Sequence, residues 1–544
     1  MVQRIARSLG ARKLLALLGL AKARSSKRKE KRASLDSPGL NLRSEPSRLN
    51  LGPMAARKYG LYINGQYIHT RSWRPVTKST HPSELLGEVS IFDSAHDDLE
   101  IYEAALEGLT QTFDQVRHHD FFPLVERLAF LGRLKARLED QRENLAQLMM
   151  HEVGKPLALC RSEVDRAIDT LHWTLEEAAS FFNERPLPLA GREGWKSFQG
   201  FTIKEGRGPL LAIGPFNFPL NLLMHKIAPA IAAGCPVLLK PSSKSVLTAL
   251  CLVDYCHAEG LPPGMINLFS CVDKDSVKLI EDPRIKQISF TGSSSVGWKL
   301  KSLTTKPFTL ELGGAAPAFV GAAADLEKAA LALAKSSISF AGQSCISTQS
   351  IHVEASAFER FTEIFKKEFS KLDWGMPSEE SVICGPVIDE AAYKRLESLK
   401  TRLISNGARV IETSRDPINA EAIEARLVRP AYILNLTPQD SFLREECFGP
   451  LVSIFPIPGL GAFVQFANAL PQRLQASVWG AAGNSELLKA ARSLDYGGVV
   501  INEASSQRFD AMPYGGRGEA GAGREGPRYA LEEFTDWKSI LVRE

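Results

Sequence analysis

Two short segments carry residue types that together could perform covalent catalysis. Cys345 lies within residues 342–347, which read GQSCIS, and Glu311 begins residues 311–314, which read ELGG. A cysteine thiolate is a good nucleophile, and a nearby carboxylate can act as a general base. Taken singly, each has a more ordinary interpretation, because most cysteines in apolar stretches only pack in a core. The pair is therefore a hypothesis that depends on the rest of the chain.

Further marked segments stand around this pair. In chain order they are residues 214–219 (GPFNFP), 239–242 (LKPS), 290–293 (FTGS), 445–450 (EECFGP), 513–516 (PYGG) and 523–526 (GREG). The ordered set resembles the aldehyde dehydrogenase superfamily, from about residue 58 to the C-terminus. Residues 512–514 (MPY) and 524–529 (REGPRY) resemble its branch for small polar or anionic aldehydes. That branch includes lactaldehyde, phosphonoacetaldehyde and non-phosphorylating glyceraldehyde-3-phosphate dehydrogenases.

The resemblance implies a catalytic role for three residues. Cys345 would attack the aldehyde to form a thiohemiacetal, because the aldehyde hydrogen leaves readily as hydride only from a tetrahedral adduct. The side-chain amide of Asn217 and the backbone N–H of Cys345 would stabilise the oxyanion. Glu311 would then activate the water that hydrolyses the resulting thioester, so that the product is a free carboxylic acid.

The resemblance also implies a nicotinamide cofactor, either NAD or NADP. The usual G-x-G-x-x-G fingerprint is absent from the doubly wound part of the sequence (209–314), but residues 292–297 (GSSSVG) follow an apolar strand and open a helix, where backbone N–H groups can receive a phosphate. Ser243 stands where NAD-specific members carry a glutamate. Without that carboxylate the 2′-phosphate of NADP is not repelled, and the positive charges of Lys240 and Lys244 could favour it. The predicted cofactor residues are Pro215, Phe216, Lys240, Ser242, Ser243, Gly292, Ser293, Gly297, Leu312, Glu446 and Phe448.

Arg508 and Tyr514 are the predicted substrate-binding residues. Residues 507–512 (QRFDAM) directly precede Pro513, and in the family this segment lines the substrate entrance. A guanidinium there could bind a carboxylate, phosphonate or sulfonate with paired hydrogen bonds. The alternative is that Arg508 forms an internal ion pair with Asp510 or a subunit contact.

Two other functions remain open at this point. One is a CoA-acylating semialdehyde dehydrogenase, although such members lack a glutamate at the position of Glu311. The other is a non-catalytic structural protein on the same scaffold, as some crystallins are. The joint presence of Asn217, Glu311, Cys345 and Glu446 disfavours it.

The elements that must position these residues follow from the hydrophobic pattern. A hairpin is predicted around Asn64-Gly65, a helix from Leu124 to Met149 that Gly154 would end, and a helix from about 158 to 182. Helical stretches then separate apolar strands near 209–214, 236–240, 266–270, 286–290 and 308–312, which is a doubly wound pattern. A second alternating α/β region follows from 316 to 502, and a last strand is predicted from 537 to 542.

The predicted fold is α/β and aldehyde dehydrogenase-like, with a Rossmann-like cofactor domain, an α/β catalytic domain and a small β oligomerisation arm. Such a protein is expected to form a homodimer or a homotetramer. The predicted parts are a basic, disordered extension (1–57), the NAD(P)-binding domain (58–185 and 207–313), the catalytic domain (314–504), and the arm with the C-terminal segment (186–206 and 505–544).

The composition of the chain indicates whether a membrane, a nucleic acid or a metal is expected as a further partner. A chain of 544 residues with 44% hydrophobic and 24% charged residues is typical of a globular protein of two or three domains. It has no run of 18 apolar residues, so no membrane span is expected. Residues 1–53 hold 13 lysines and arginines against 3 acids, which leaves the remainder mildly acidic and without an indication of nucleic-acid binding. The 8 scattered cysteines show no metal-ligand spacing and favour a reducing compartment, so we expect no metal and a cytoplasmic location.

The basic N-terminal residues allow three interpretations. Residues 1–29 lack acids and resemble a mitochondrial presequence, whereas the apolar run 14–21 resembles part of a secretory signal peptide. The third interpretation is a basic extension upstream of a natural start at Met54. We favour it because residues 54–58 (MAARK) directly precede the first predicted strand.

Overall fold

The computed structural model describes residues 57–118, 121–189, 193–195, 197–413, 423–437 and 439–543. The predictions about the basic N-terminal residues fall outside these ranges. Within them, the search for a helix long and apolar enough to cross a membrane finds none.

The described chain alternates between strands and helices along most of its length. The strands are β1 (Lys58–Tyr59), β2 (Leu61–Ile63), β3 (Gln66–Ile68), β4 (Ser72–Thr77), β5 (Leu85–Ile91), β6 (Arg185–Pro186), β7 (Phe198–Gly206), β8 (Leu210–Ile213), β9 (Val237–Lys240), β10 (Ile266–Leu268), β11 (Gln287–Thr291), β12 (Phe308–Glu311), β13 (Pro317–Val320), β14 (Ser350–Glu354), β15 (Arg409–Glu412), β16 (Ala431–Leu434), β17 (Leu451–Ile457), β18 (Gln472–Arg473), β19 (Gln475–Trp479), β20 (Gly498–Ile501), β21 (Arg517–Gly518), β22 (Gly521–Ala522) and β23 (Thr535–Arg543). The helices are Leu99–Arg117, Leu124–Asp140, Arg142–Val153, Leu157–Phe181, Asn221–Ala233, Val246–Ala258, Asp273–Glu281, Ser294–Lys301, Leu326–Ile338, Phe358–Phe369, Glu390–Ser405, Leu460–Asn468, Ser485–Ser493 and Pro527–Glu533.

The first large sheet has the strand order β22-β12-β11-β8-β9-β10-β2-β3. Its five central strands, β8 to β12, run parallel and correspond to the five predicted strands. Alternate residues serve opposite faces: Leu210 and Ala212 belong to one buried apolar cluster, and Leu211 and Ile213 belong to another. The predicted doubly wound sheet is confirmed, and β22 from the C-terminal segment completes one of its edges.

The winding direction of this sheet reverses at β8, which has β9 on one side and β11 on the other. In doubly wound sheets the ligand site lies beyond the carboxyl ends of the strands at such a reversal. Here β8 leads into Gly214 and β11 leads into Gly292, and these glycines lie in the marked segments 214–219 and 290–293. Sheet topology therefore brings together segments that are far apart along the chain.

Two local predictions have different outcomes. The Asn64-Gly65 hairpin is confirmed, with φ of 51° and 84° at the two turn residues. The single helix predicted from Leu124 to Met149 is wrong, because the chain leaves helical geometry at Gln141 (φ −99°, ψ 16°) and starts a second helix. Both helices bury their apolar faces in the same core, so the hydrophobic pattern does not reveal a one-residue break. Gly154 ends the second helix in the left-handed conformation, as predicted.

The second large sheet has the strand order β15-β16-β17-β14-β13-β19-β20. All of its neighbours run parallel except the pair β15 and β16. A separate apolar cluster packs around it, built from strands such as β14 and helices such as Leu326–Ile338. The loop that carries Cys345 joins that helix to β14.

A smaller sheet joins β23 to β7 along nine residue pairs, with β6 on the far side of β7. The strand predicted at 537–542 thus exists and extends slightly further at both ends. Trp537, Leu541 and Val542 on β23 are about half exposed, at 49%, 59% and 50%. A further three-stranded sheet, β1-β5-β4, lies near the N-terminus of the described chain.

Candidate active site

Cys345 follows a turn of unusual backbone conformation. Phe340, Ala341 and Gly342 have φ of 51°, 53° and 67°, in the left-handed region that costs an ordinary L-residue roughly 1–2 kcal/mol. Packing holds this turn in place, since all three residues are buried and a Cβ on Gly342 would lie 2.1 Å from the carbonyl oxygen of Gly449. The cysteine loop therefore rests directly on the 445–450 segment, which explains the glycine at 342. The glycine at 449 instead leaves room for Leu396, whose side chain would lie 2.2 Å from a Cβ there.

Glu311 is the last residue of β12, where it lies beside Thr291 at the end of β11. Gly313 then passes so close to Glu446 that a Cβ there would lie 2.0 Å from a carboxylate oxygen. The glycines after Glu311 thus allow the two walls of one cleft to approach each other.

That cleft has a volume of about 620 Å³ and lies at the reversal point of the first sheet. Its lining contains Glu311, Asn217 and Cys345, and ten of the eleven predicted cofactor residues. Gly297 is the exception. It lies beneath the cleft, where a Cβ would come within 2.5 Å of a methyl carbon of Leu312. Its role is to let the helix Ser294–Lys301 approach the sheet.

A second cavity of about 320 Å³ reaches Cys345 from a different direction. Its lining includes both predicted substrate residues, Arg508 and Tyr514, together with Arg166 and Phe218. Cys345 and Tyr514 line both cavities. The thiol therefore stands at a junction where two different molecules could meet.

The sulfur of Cys345 lies 2.9 Å from the hydroxyl oxygen of Tyr514. Burial raises the pKa of the Cys345 thiol to about 12, and the hydrogen bond with Tyr514 opposes this rise. The thiol thus needs help to ionise at neutral pH, as a nucleophile must.

Both predicted oxyanion donors can still donate. The amide nitrogen of Asn217 gives one proton to the carbonyl of Gln343 at 3.0 Å, which leaves its second proton. The backbone N–H of Cys345 makes no hydrogen bond within the described part of the chain. Asn217 and Cys345 line the same cleft, so both donors are available on one side of the thiol.

Glu311 is buried, and its Oε1 atom has no hydrogen-bond partner among the described residues. Burial, and then the charge of Glu525, raise the pKa of Glu311 well above its usual value. Glu525 itself accepts a 2.5 Å hydrogen bond from Lys226, which is fully buried in the helix Asn221–Ala233. The site predictions did not include Lys226. Its signal was a lone charge inside an otherwise apolar helix.

On the substrate side, Asp510 pairs with Arg166 rather than with the neighbouring Arg508. Both bonds from Arg166 are short, at 2.9 and 3.0 Å, and the Nε2 atom of His225 lies 2.9 Å from the same carboxylate. Arg508 instead places its guanidinium 3.6 Å from the centre of the Tyr514 ring. Arg166 and His225 were not predicted, because they come from helices far away in sequence.

A model described as "Aldehyde dehydrogenase family" matches residues 81–540 of this sequence. The chain belongs to the aldehyde dehydrogenase family. A 3-sulfolactaldehyde dehydrogenase of Priestia aryabhattai is 32% identical over 493 residues, which span 89% of this chain and 98% of that protein. A lactaldehyde dehydrogenase of Methanocaldococcus jannaschii is 33% identical over 430 residues, 77% of this chain and 88% of that protein.

Solved structures agree with the sequence relatives. Aldehyde dehydrogenase 21 from Physcomitrella patens, in complex with the reaction product succinate, superposes with a TM-score of 0.82 at 29% identity. The match covers 90% of this chain and 98% of that one. The chain is therefore an oxidoreductase that acts on an aldehyde group, with NAD or NADP as the acceptor.

The residues of the cleft fit a nicotinamide dinucleotide. The Oε1 atom of Glu446 is buried and has no partner in the described chain, and burial raises the pKa of Glu446 to about 7. A buried polar atom of this kind inside a cleft fits a ligand hydroxyl. Gly292 and Ser293 line the same cleft where the helix Ser294–Lys301 begins, a place suited to phosphate.

A third cavity of about 350 Å³ shares Lys240 and Ser243 with this cleft. Apolar residues of the first N-terminal sheet line it, and so does Arg74 on β4. Lys244, by contrast, forms an ion pair with Asp389 at 3.1 Å. Arg74 is thus a positive charge in a cavity that Ser243 also lines, which the sequence pattern did not indicate.

The described residues contain no group of three or more His, Cys, Asp or Glu side chains that could hold a metal ion. All eight cysteines are free thiols, and only Cys345 is not fully buried.

Proposed function

We propose that this enzyme oxidises a short anionic aldehyde to the free carboxylic acid, with Cys345 as the nucleophile and Glu311 as the base. The observation that carries this proposal is the position of Cys345 at the junction of two cavities. One cavity holds Glu311, Asn217 and the cofactor residues, and the other contains two arginines.

The first half of the reaction uses the groups around the sulfur. The Cys345 thiolate attacks the carbonyl carbon, a C–S bond forms, and the carbonyl π pair moves to oxygen. The second amide proton of Asn217 and the backbone N–H of Cys345 stabilise that oxyanion. A nicotinamide cofactor held by the cleft residues would supply the hydride acceptor. As the hydride leaves the tetrahedral carbon, the oxyanion lone pair re-forms the C=O bond, and the product on Cys345 is a thioester.

The second half of the reaction belongs to Glu311. Its carboxylate takes a proton from water as the water attacks the thioester carbonyl, and the Cys345 thiolate leaves. The raised pKa of Glu311 makes it a stronger base than an exposed glutamate, provided that it is ionised.

Two arginines support an anionic substrate. Arg508 and Arg166 both line the cavity on the substrate side of Cys345, and the Nε atom of Arg508 is buried with no partner among the described residues. Asp510 neutralises Arg166, so Arg508 is the better candidate for a substrate carboxylate or sulfonate. The names of the relatives, 3-sulfolactaldehyde and lactaldehyde dehydrogenase, agree with a short polar substrate.

The two alternatives are less well supported. A CoA-acylating enzyme would have no use for Glu311, which stands in the lining of the cleft with an unsatisfied carboxylate oxygen. A structural protein would not need a thiol at the junction of two cavities.

We also infer assembly into a homodimer or a homotetramer through the β7 and β23 arm. The half-exposed apolar side chains on β23 support this inference, because such side chains favour a covered surface. A cytoplasmic location is likewise a proposal, supported by eight free thiols.

Initial rates with an aldehyde panel test the substrate proposal. The panel contains 3-sulfolactaldehyde, succinate semialdehyde and the neutral lactaldehyde, each with NAD or NADP and with or without CoA. We expect higher kcat/KM for the anionic aldehydes and a free acid as the product by mass spectrometry. A neutral preference would refute the anionic class, and an acyl-CoA product would establish the acylating alternative.

A further inference from the structure

The hydroxyl of Tyr514 contacts the sulfur atom that reacts, rather than only the space where a substrate would bind. We propose that Tyr514 is a catalytic residue, whose hydroxyl donates a hydrogen bond to the Cys345 thiolate and increases the amount of thiolate at neutral pH. The distance of 2.9 Å between the two atoms carries this inference. It rests on the proposed function, in which Cys345 is the nucleophile.

The direction of the hydrogen bond follows from the charges around it. A thiolate can only accept, and a phenol has an ordinary pKa of about 10. Burial raises the pKa of Tyr514 further, so its hydroxyl keeps its proton. The other charged groups that act on the sulfur are Glu311 and Glu446, which oppose a thiolate, and Arg508, which favours one. Tyr514 is the group among them in hydrogen-bond contact with the sulfur.

The surrounding structure fixes the orientation of the phenol ring. Tyr514 is 3% exposed, and its backbone exchanges hydrogen bonds of 3.0 and 2.7 Å with Glu525. The Arg508 guanidinium lies over one face of the ring, 3.6 Å from its centre. A cation on the ring face draws electron density from the phenol and strengthens its hydroxyl as a donor. Arg508 is itself placed beside His225, with a nitrogen 3.1 Å from Nε2.

The hydrogen bond acts before the carbon–sulfur bond forms. During attack a sulfur lone pair becomes the C–S bond, so the sulfur loses the charge that attracted the hydroxyl. Lowering a thiol pKa by one unit raises the thiolate fraction tenfold but lowers the intrinsic nucleophilicity by about threefold, because the Brønsted coefficient is about 0.4–0.5. The net gain is about threefold per unit while the pKa stays above the working pH.

Alkylation of the free enzyme tests this role without any aldehyde. Inactivation by iodoacetamide is followed from pH 6 to 10 in the wild type and in Tyr514→Phe, and mass spectrometry identifies the labelled cysteine. Because this range lies below the pKa of about 12, the rate should rise with pH in both proteins. The rate of Tyr514→Phe should lie below the wild-type rate throughout, since loss of a hydrogen bond to a charged group should raise the pKa of Cys345 by about one unit or more. The rate at neutral pH should fall about threefold or more for each unit.

Tyr496→Phe is the matched control. Tyr496 is also buried, and its hydroxyl donates to the carbonyl of Ala467 at 3.1 Å, outside both cavities. This variant should keep the wild-type pH profile. Arg508→Leu keeps the phenol hydroxyl but removes the cation from the ring face, so it should raise the pKa of Cys345 by less than Tyr514→Phe does.

An unchanged alkylation profile in Tyr514→Phe, with a wild-type melting temperature, would overturn the proposal even if aldehyde turnover fell. Such a result would mean that the ring only shapes the substrate cavity. If the label were found on a cysteine other than Cys345, the nucleophile assignment itself would fail, and the role of Tyr514 would fall with it. The two failures are therefore distinguishable in one experiment.

Discussion

The surroundings of Cys345 and the end of the cleft that Lys240 and Ser243 line are built in different ways. Around Cys345, backbone segments touch so closely that Gly342 and Gly313 admit no side chain, and both Asn217 and Glu311 are buried. At the other end, Lys240, Ser243 and Arg74 line an adjoining cavity, where Lys240 and Arg74 are partly buried and Ser243 is exposed. We infer from this comparison that backbone packing fixes the chemistry, whereas a few exchangeable side chains set the choice of cofactor and substrate.

The largest effect should come from Cys345→Ser. A serine hydroxyl in the same place has no comparable ionised state, so aldehyde oxidation should fall by at least about a thousandfold while cofactor binding stays nearly intact. Steady-state rates and dinucleotide titration measure the two properties. Cys447→Ser is the matched control, because Cys447 is a buried thiol beside Glu446. Substantial activity in Cys345→Ser would transfer the role to another nucleophile.

Glu311→Gln should have the next largest effect. The first hydride transfer should survive as a burst of reduced cofactor, while turnover falls about 10²–10⁴-fold because thioester hydrolysis loses its general base. The pH dependence follows from the raised pKa of Glu311: wild-type hydrolysis should increase as pH rises through that pKa and be lost below it. In Glu311→Gln this dependence should disappear. A burst that falls in parallel with turnover would instead assign Glu311 to the activation of Cys345.

The same contrast explains what could be predicted from sequence. Cys345, Glu311 and the strand ends that lead into Gly214 and Gly292 were predictable because local segments specify them. Arg166 and Arg74 were not, because helix and sheet packing brings them to the site from other parts of the chain. The pairing of Asp510 with Arg166 also depends on side-chain geometry, which spacing along the sequence cannot give. Residues whose position depends on close backbone packing are recognisable from a local sequence motif. Side chains such as Arg166 and Arg74, which reach into a cavity from another part of the chain, are not marked by such a motif.

Arg508→Leu tests the substrate side of the comparison. Loss of a charge-assisted contact should lower kcat/KM for an anionic aldehyde by about 2 kcal/mol, or roughly thirtyfold, and should leave a neutral aldehyde of similar length much less affected. Arg492→Leu, a change on the distant helix Ser485–Ser493, controls for general loss of positive charge. Equal losses on both aldehydes would show that Arg508 serves through Tyr514 or the loop structure, and the substrate class would be open again.

The smallest effect on activity should come from Arg74→Gln, at the end of the cleft that Lys240 and Ser243 line. If Arg74 and Lys240 receive a 2′-phosphate beside Ser243, this variant should lower kcat/KM for NADP about tenfold, which corresponds to about 1.4 kcal/mol, and should leave NAD nearly unchanged. Calorimetric titration with adenosine 2′,5′-bisphosphate and with adenosine 5′-monophosphate separates the phosphate contact from catalysis.

Lys244→Gln is the matched control for that experiment, because the ion pair with Asp389 already engages the Lys244 ammonium. It should change neither nucleotide's affinity by more than about twofold, as expected for an exposed pair of small net energy. Asp273 lines the same cavity as Arg74, and its negative charge would oppose a 2′-phosphate, whereas its carboxylate could accept hydrogen bonds from a free ribose. If Arg74→Gln weakened both nucleotides equally, Arg74 would contact the adenine or the 5′-phosphate side. In that case Asp273 would become the better candidate for setting the cofactor preference, in favour of NAD.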